Sequence, residues 1–115
     1  MIDLERISKE HEELFPRASL ESQLIKLEEE LKEFDDADDY EHKIKEAADV
    51  EIVCAGLYRW FPLAAWWFVD GFESTEGINW ELVKKEVDRK WNINQLREWV
   101  WDGRTYRHKG KDGNE

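Results

Sequence analysis

A single cysteine, Cys54, serves the whole chain, so no disulfide can close within it, and the usage is typical of a reducing compartment. Cys54 lies in an apolar run and reads as a small core residue rather than a nucleophile. Long hydrophobic runs are also lacking. The most apolar window, Ile52 to Val69, is broken by Arg59 and Pro62, which argues against a membrane span. No signal peptide is visible in "MIDLERISKEHEE", where charge is spread throughout, and the expectation is a cytoplasmic protein. Basic charge is scarce: 17 Lys and Arg stand against 28 Asp and Glu, a net charge of −11. Such a chain repels nucleic-acid phosphates unless a basic patch or a metal intervenes. Internal repeats and the alternation of a strand are absent as well, so the class reads as all-α.

What is present is tryptophan and acid. All seven tryptophans fall in the second half, from Trp60 to Trp101. They suit cores, interfaces and base stacking alike. Residues 1–14 are charged and helix-favouring, and Pro16 punctuates them. Ser19 is placed to cap a helix with a core-facing stripe of Leu20, Leu24, Leu27, Leu31 and Phe34. "DDADDYEH", Asp35 to His42, reads as a loop or frayed end. A central, buried helix is expected from about Lys43 to Tyr58, with Gly56 marking a close approach by a neighbouring helix. Phe61 to Val69 should be a short helix from Pro62 that faces a partner subunit or covers a site. "DGFESTEGIN" reads as a loop, and Asn79 caps a last helix from Trp80 to about Trp99, with Val83, Val87 and Trp91 on one face. The tail carries Arg104, Arg107, His108 and Lys109, and its end reads as disordered.

Residues three apart on a helix share a face. Glu30 and Glu33 form one such pair, and Glu46 and Asp49 another. The second pair interrupts a helix with no evident solvent face, and a buried charge is costly unless paired or coordinated. Two pairs on facing antiparallel helices would gather four carboxylates around one point. Hard oxygen ligands without histidine or thiolate select Mg²⁺ or Mn²⁺ over zinc. The competing expectation is salt bridging to Lys26, Lys45 or Arg97. Spacing alone does not choose, since several other acid pairs, such as Glu10 and Glu13, share it. Glu51, in the same run, is expected to pair with a cation such as Arg59 or to sit at a helix edge.

"KLEEELKEF" followed by "KEAADVEIV" resembles the E-x-x-E … E-x-x-D signature of MazG-like, all-α nucleotide pyrophosphohydrolases. "KWNINQLREW" is similar to the K-x-x-x-N-x-x-R of that family's last core helix, through Lys90, Asn94 and Arg97. The stretch "NQLREW … DGRTYRH" looks like the ending of a phage-associated branch described as dATP/dGTP diphosphohydrolases. The resemblance implies a four- to five-helix bundle over residues 1–103, a polar tail over 104–115, and a homo-oligomer, dimer or tetramer. It implies cleavage of a (deoxy)nucleoside triphosphate, a purine such as dGTP, to the monophosphate and pyrophosphate with Mg²⁺ or Mn²⁺. Glu30, Glu33, Glu46 and Asp49 would ligate metal. Glu29 or Glu30 would orient or deprotonate the attacking water. Lys26, Lys90, Asn94 and Arg97 would contact phosphate or nucleotide, and the basic tail would close over it. No membrane or nucleic-acid partner is expected, and a phage-encoded chain would act in the host cytoplasm. The alternative, in a different class, is a non-catalytic acidic binding protein such as a DNA mimic. That reading needs its acids spread over an exposed face.

Overall fold

Five helices followed by a two-stranded hairpin make up residues 1–109, the part that the computed structural model describes. The expectation for the extreme C-terminus concerns residues outside that range.

Helix α1, Leu4–Leu14, opens on Asp3, whose carboxylate accepts from the Arg6 N–H at 3.1 Å. It buries Leu4, Ile7, Ser8 and His11, one stripe at helical spacing, and ends ahead of Pro16. Helix α2, Leu20–Asp36, starts at the expected Ser19, where Ser19 and Ser22 cap each other reciprocally at 2.9 and 3.1 Å. Helix α3, Tyr40–Leu57, begins after a three-residue link, with Asp39 accepting from the His42 N–H at 2.8 Å. The acidic block is therefore mostly helical, because Asp39 itself supplies a cap. Helix α4, Pro62–Phe72, has proline in its first turn. Helix α5, Trp80–Leu96, is capped by Asn79, which accepts from the N–H groups of Glu81 and Leu82.

Helix α3 is the hub, packed against α1, α2, α4 and α5. Ala47, Ala48, Val50 and Ala55 are fully buried along it, and Val83, Val87 and Trp91 of α5 close the far side. Small residues on α3 let its neighbours approach closely. The Trp91 indole N–H donates to Glu10 at 2.7 Å, tying α5 to α1. No helix among the described residues is long and apolar enough to cross a membrane.

Besides the acidic block, expected as a loop or frayed end, three expectations need correction. The stripe on α2 does not include Leu24, which is 51% exposed, whereas Ser22 and Gln23 are buried. The helix turns its Gln23–Glu30–Glu33 face toward α3, and that rotation carries Leu24 outward. The last helix stops at Leu96, and the chain then forms β1, Trp99–Trp101, paired antiparallel with β2, Tyr106–His108. Three-residue strands are too short to show alternation, so the small sheet leaves no periodic signal in the sequence. Its one local signal was the Asp102–Gly103 turn, where the Asp102 carboxylate accepts from the Arg104 and Thr105 N–H groups and Gly103 has φ of 96°. Finally, Glu51 does not meet Arg59. Arg59 donates to the Ala18 carbonyl at 2.6 Å and lies over the Trp60 ring. Glu51 is instead buried beside Glu73, near the N-terminal amine, and burial with that second carboxyl pushes its pKa up to about 9.

Candidate functional site

The short link between α2 and α3 makes them antiparallel, and their facing positions fall in register. Glu33 lies against Glu46, Glu30 against Asp49, and Gln23 against Gly56. The pairs three apart on each helix thus become rungs between them. Together with α1, α5 and the hairpin they enclose a cavity of about 730 Å³.

At one end, Glu30, Glu33 and Glu46 each bring a carboxylate oxygen within 4.8 Å of the others. Asp49 stands beside this trio and receives Lys90 Nζ at 2.9 Å. His42 Nε2 lies 3.3 Å from the second Glu46 oxygen. Glu30 Oε1 and Glu46 Oε1 are buried without a hydrogen-bond partner. Burial, then the charges of Asp49, Glu33 and Glu46, raise the Glu30 pKa to about 8. Burial, then the charges of Asp49 and Glu33, raise Glu46, and burial raises Asp49 against the opposing pull of Lys90. The cluster thus holds more negative charge than its direct partners neutralise. Of the cations expected as salt-bridge partners, Lys26 reaches Glu29 at 3.7 Å, and it is Lys90 that engages Asp49.

Lys26, Lys90, Asn94 and Arg97 all line the cavity, as do Lys45, expected only as a salt-bridge partner, and Arg89, which the sequence did not single out. Arg89 also pairs with Glu86 one turn away. Glu29 is not on the lining. It is half-exposed, held between Lys26 and Arg107, the latter at 4.0 Å. Of the basic tail, Arg107 and His108 reach the cavity through the hairpin. The Arg104 backbone caps the Asp102 turn, and Lys109 pairs with Glu98 at 3.6 Å.

The other end is lined by Trp99, one of the tryptophans suited to stacking, and by four groups that the sequence did not single out for the site: His11, Phe15, Gln23 and Tyr106. Phe15 meets the rings of Trp99 and Tyr106 at 5.1 and 4.8 Å. The Tyr106 hydroxyl accepts from the Arg17 N–H at 2.9 Å, which seats the hairpin on the turn after α1. These residues are scattered over the chain, and no local spacing links them. Cys54 is buried away from this chemistry, and burial with nearby Glu51 pushes its thiol up to about 12, as fits an inert core residue.

No protein-family model, curated protein or solved structure matches the chain.

Proposed function

We propose that this protein is a Mg²⁺- or Mn²⁺-dependent nucleoside triphosphate pyrophosphohydrolase of the MazG-like kind, cleaving a (deoxy)nucleoside triphosphate, a purine such as dGTP, to monophosphate and pyrophosphate. The observation that carries this reading is the Glu30–Glu33–Glu46 trio with its two orphaned, buried oxygens. Leaving a buried acceptor unsatisfied costs about 1–3 kcal/mol, more for a charged group. Four carboxylates on one cavity wall repel one another besides. An all-oxygen donor set of this kind fits a hard divalent cation, with Glu30, Glu33 and Glu46 holding it and Asp49 adjoining. When bound, such an ion neutralises phosphate oxygens and lowers the pKa of a water.

The chain's own residues do the rest. Lys90 keeps two further N–H donors beyond its bond to Asp49, and these suit phosphate oxygens. Lys26, Lys45, Arg89 and Arg97 place more positive charge around the same cavity, matching a polyphosphate longer than one phosphate. Asn94 offers an amide to phosphate or sugar. The water-orienting role expected of Glu29 requires its carboxylate to leave Lys26 and Arg107, so Glu30, already facing the cavity, is the better placed of the two. A DNA mimic is not favoured, because Glu30, Glu46 and Asp49 turn inward rather than over an exposed face.

The test is a panel of the eight canonical (d)NTPs with Mn²⁺, resolving monophosphate from diphosphate products. Monophosphate with equimolar pyrophosphate is expected. Diphosphate and inorganic phosphate, or no turnover of any nucleotide, would reject the assignment.

We propose further that the chain is a homo-oligomer, dimer or tetramer, joined through α4. Phe61, Leu63, Trp66 and Trp67 are between 44% and 63% exposed there, an apolar face that water does not favour. Sedimentation should give a dimer or tetramer, and Trp67→Glu should shift it to monomer. A monomeric parent chain would reject this interface.

A further inference from the structure

We infer that the neutral end of the cavity reads a nucleobase, with the His11 imidazole and the Gln23 amide bonding its edge and Phe15 and Trp99, in edge contact with each other, forming one aromatic wall beside its ring. The inference rests on reading the cavity as a nucleotide site.

Three observations carry it. His11 is only 4% exposed, yet its Nδ1 has no hydrogen-bond partner, and the ring lines the cavity. A histidine kept merely for packing would be expected to satisfy that atom. Burial, aided by nearby Arg59, lowers its pKa to about 4. The ring is therefore neutral at neutral pH, offering one donor and one acceptor. Trp91 stacks on it at 6.0 Å and 7° between planes, and Phe15 lies 4.7 Å from it, so its orientation is fixed.

Second, Gly56 is a cradle for these two polar side chains. A Cβ there would stand 2.6 Å from Gln23 Oε1 and 2.7 Å from His11 Nε2. The bare backbone of α3 lets both converge, and any side chain at this position must displace them.

Third, the separation is right. Gln23 lies seven residues before Glu30 on α2, and Gly56 seven after Asp49 on α3, with each pair facing across the same groove. That sets the polar end about 10 Å from the carboxylates along the helix axes. A sugar and its base extend that way from a phosphate held at the acidic end. The neutral end suits a base because it combines aromatic surface with donors and acceptors and has no carboxylate of its own.

The probe is a set of free, uncharged nucleosides: deoxyguanosine, deoxyadenosine, deoxycytidine and thymidine. Deoxyribose 5-phosphate serves as the control without a base. They are titrated into metal-free protein while the indole NMR signals are followed. Saturable shifts of Trp91 and Trp99 at millimolar nucleoside, ranked by base and absent with deoxyribose 5-phosphate, are expected. Trp66 and Trp67, on α4, should not move. Gln23→Leu should weaken nucleoside binding tenfold or more while leaving Mn²⁺ binding unchanged. Gly56→Ala, which keeps both polar side chains but pushes them apart, should do the same and stands in if Gln23→Leu does not fold. No saturable nucleoside binding by the parent protein, or equal binding by a folded Gln23→Leu, overturns the inference. Nucleoside binding without Mn²⁺ binding or pyrophosphate release would instead reject the hydrolase and leave the base subsite standing.

Discussion

Replacing Glu46 by glutamine should abolish Mn²⁺ binding and cut pyrophosphate release about a thousandfold, roughly 4 kcal/mol of barrier, yet raise the melting temperature of the metal-free protein. Both effects follow from one position. Glu46 supplies one of three carboxylate oxygens that lie within 4.8 Å of each other, and its buried Oε1 has no partner. An amide oxygen there is a far weaker ligand for a hard cation. In the metal-free protein, however, the Glu46 charge is a burden, because burial and the charges of Asp49 and Glu33 raise its pKa. The isosteric amide removes that repulsion, and a gain of a few degrees is expected.

Asp49→Asn makes the contrast. It should also lose activity, but it leaves Lys90 without the carboxylate 2.9 Å away, so no such gain is expected. Calorimetric Mn²⁺ titration and thermal melts of the two variants decide the matter. A Glu46→Gln protein that binds Mn²⁺ like the parent would sink the metal assignment. Cation affinity should also rise with pH toward about 8, since the ion competes with the proton that Glu30 retains up to that pH.

The second large effect is on stability alone. Glu51 is 1% exposed, shares a hydrogen bond with Glu73, and has its pKa raised to about 9 by burial and by that neighbour. The unfolded chain releases this proton near the ordinary glutamate value. Between the two pKa values the folded state therefore binds more protons, and stability falls as pH rises. The full span corresponds to several kcal/mol, tempered by the N-terminal amine 3.9 Å from Glu73. Glu51→Gln keeps a donor for Glu73 and removes the titration. Its advantage in melting temperature over the parent should grow from about pH 5 to about pH 9. Because Glu30 titrates in both proteins, the difference isolates Glu51. An advantage that stays constant or shrinks with pH would show that the two carboxyls do not share a proton.

The candidate site was legible in part because its key residues are local. Glu30 with Glu33 and Glu46 with Asp49 follow from three-residue spacing, and a short link suffices to bring the two helices face to face. The neutral end was not legible. His11 falls on the buried stripe of α1 and looks like packing, while Gln23 sits next to the leucine expected in the core. Their shared role depends on Gly56, more than thirty positions after Gln23, being near enough to leave them room. The hairpin was missed for a different reason. It is held on Phe15 and Arg17 rather than by strand propensity, and those contacts bridge almost the whole described chain.

By itself the sequence determined the helical class, the caps at Ser19 and Asn79, and the two acidic faces, because each depends on residues only a few positions apart. Only the tertiary structure decided that Gln23 turns inward and Leu24 outward, that Lys90 answers Asp49 from 41 positions away, and that Glu51 meets Glu73 rather than Arg59. Those outcomes depend on how whole helices rotate and pack against α3, a balance of many contacts that no local spacing encodes.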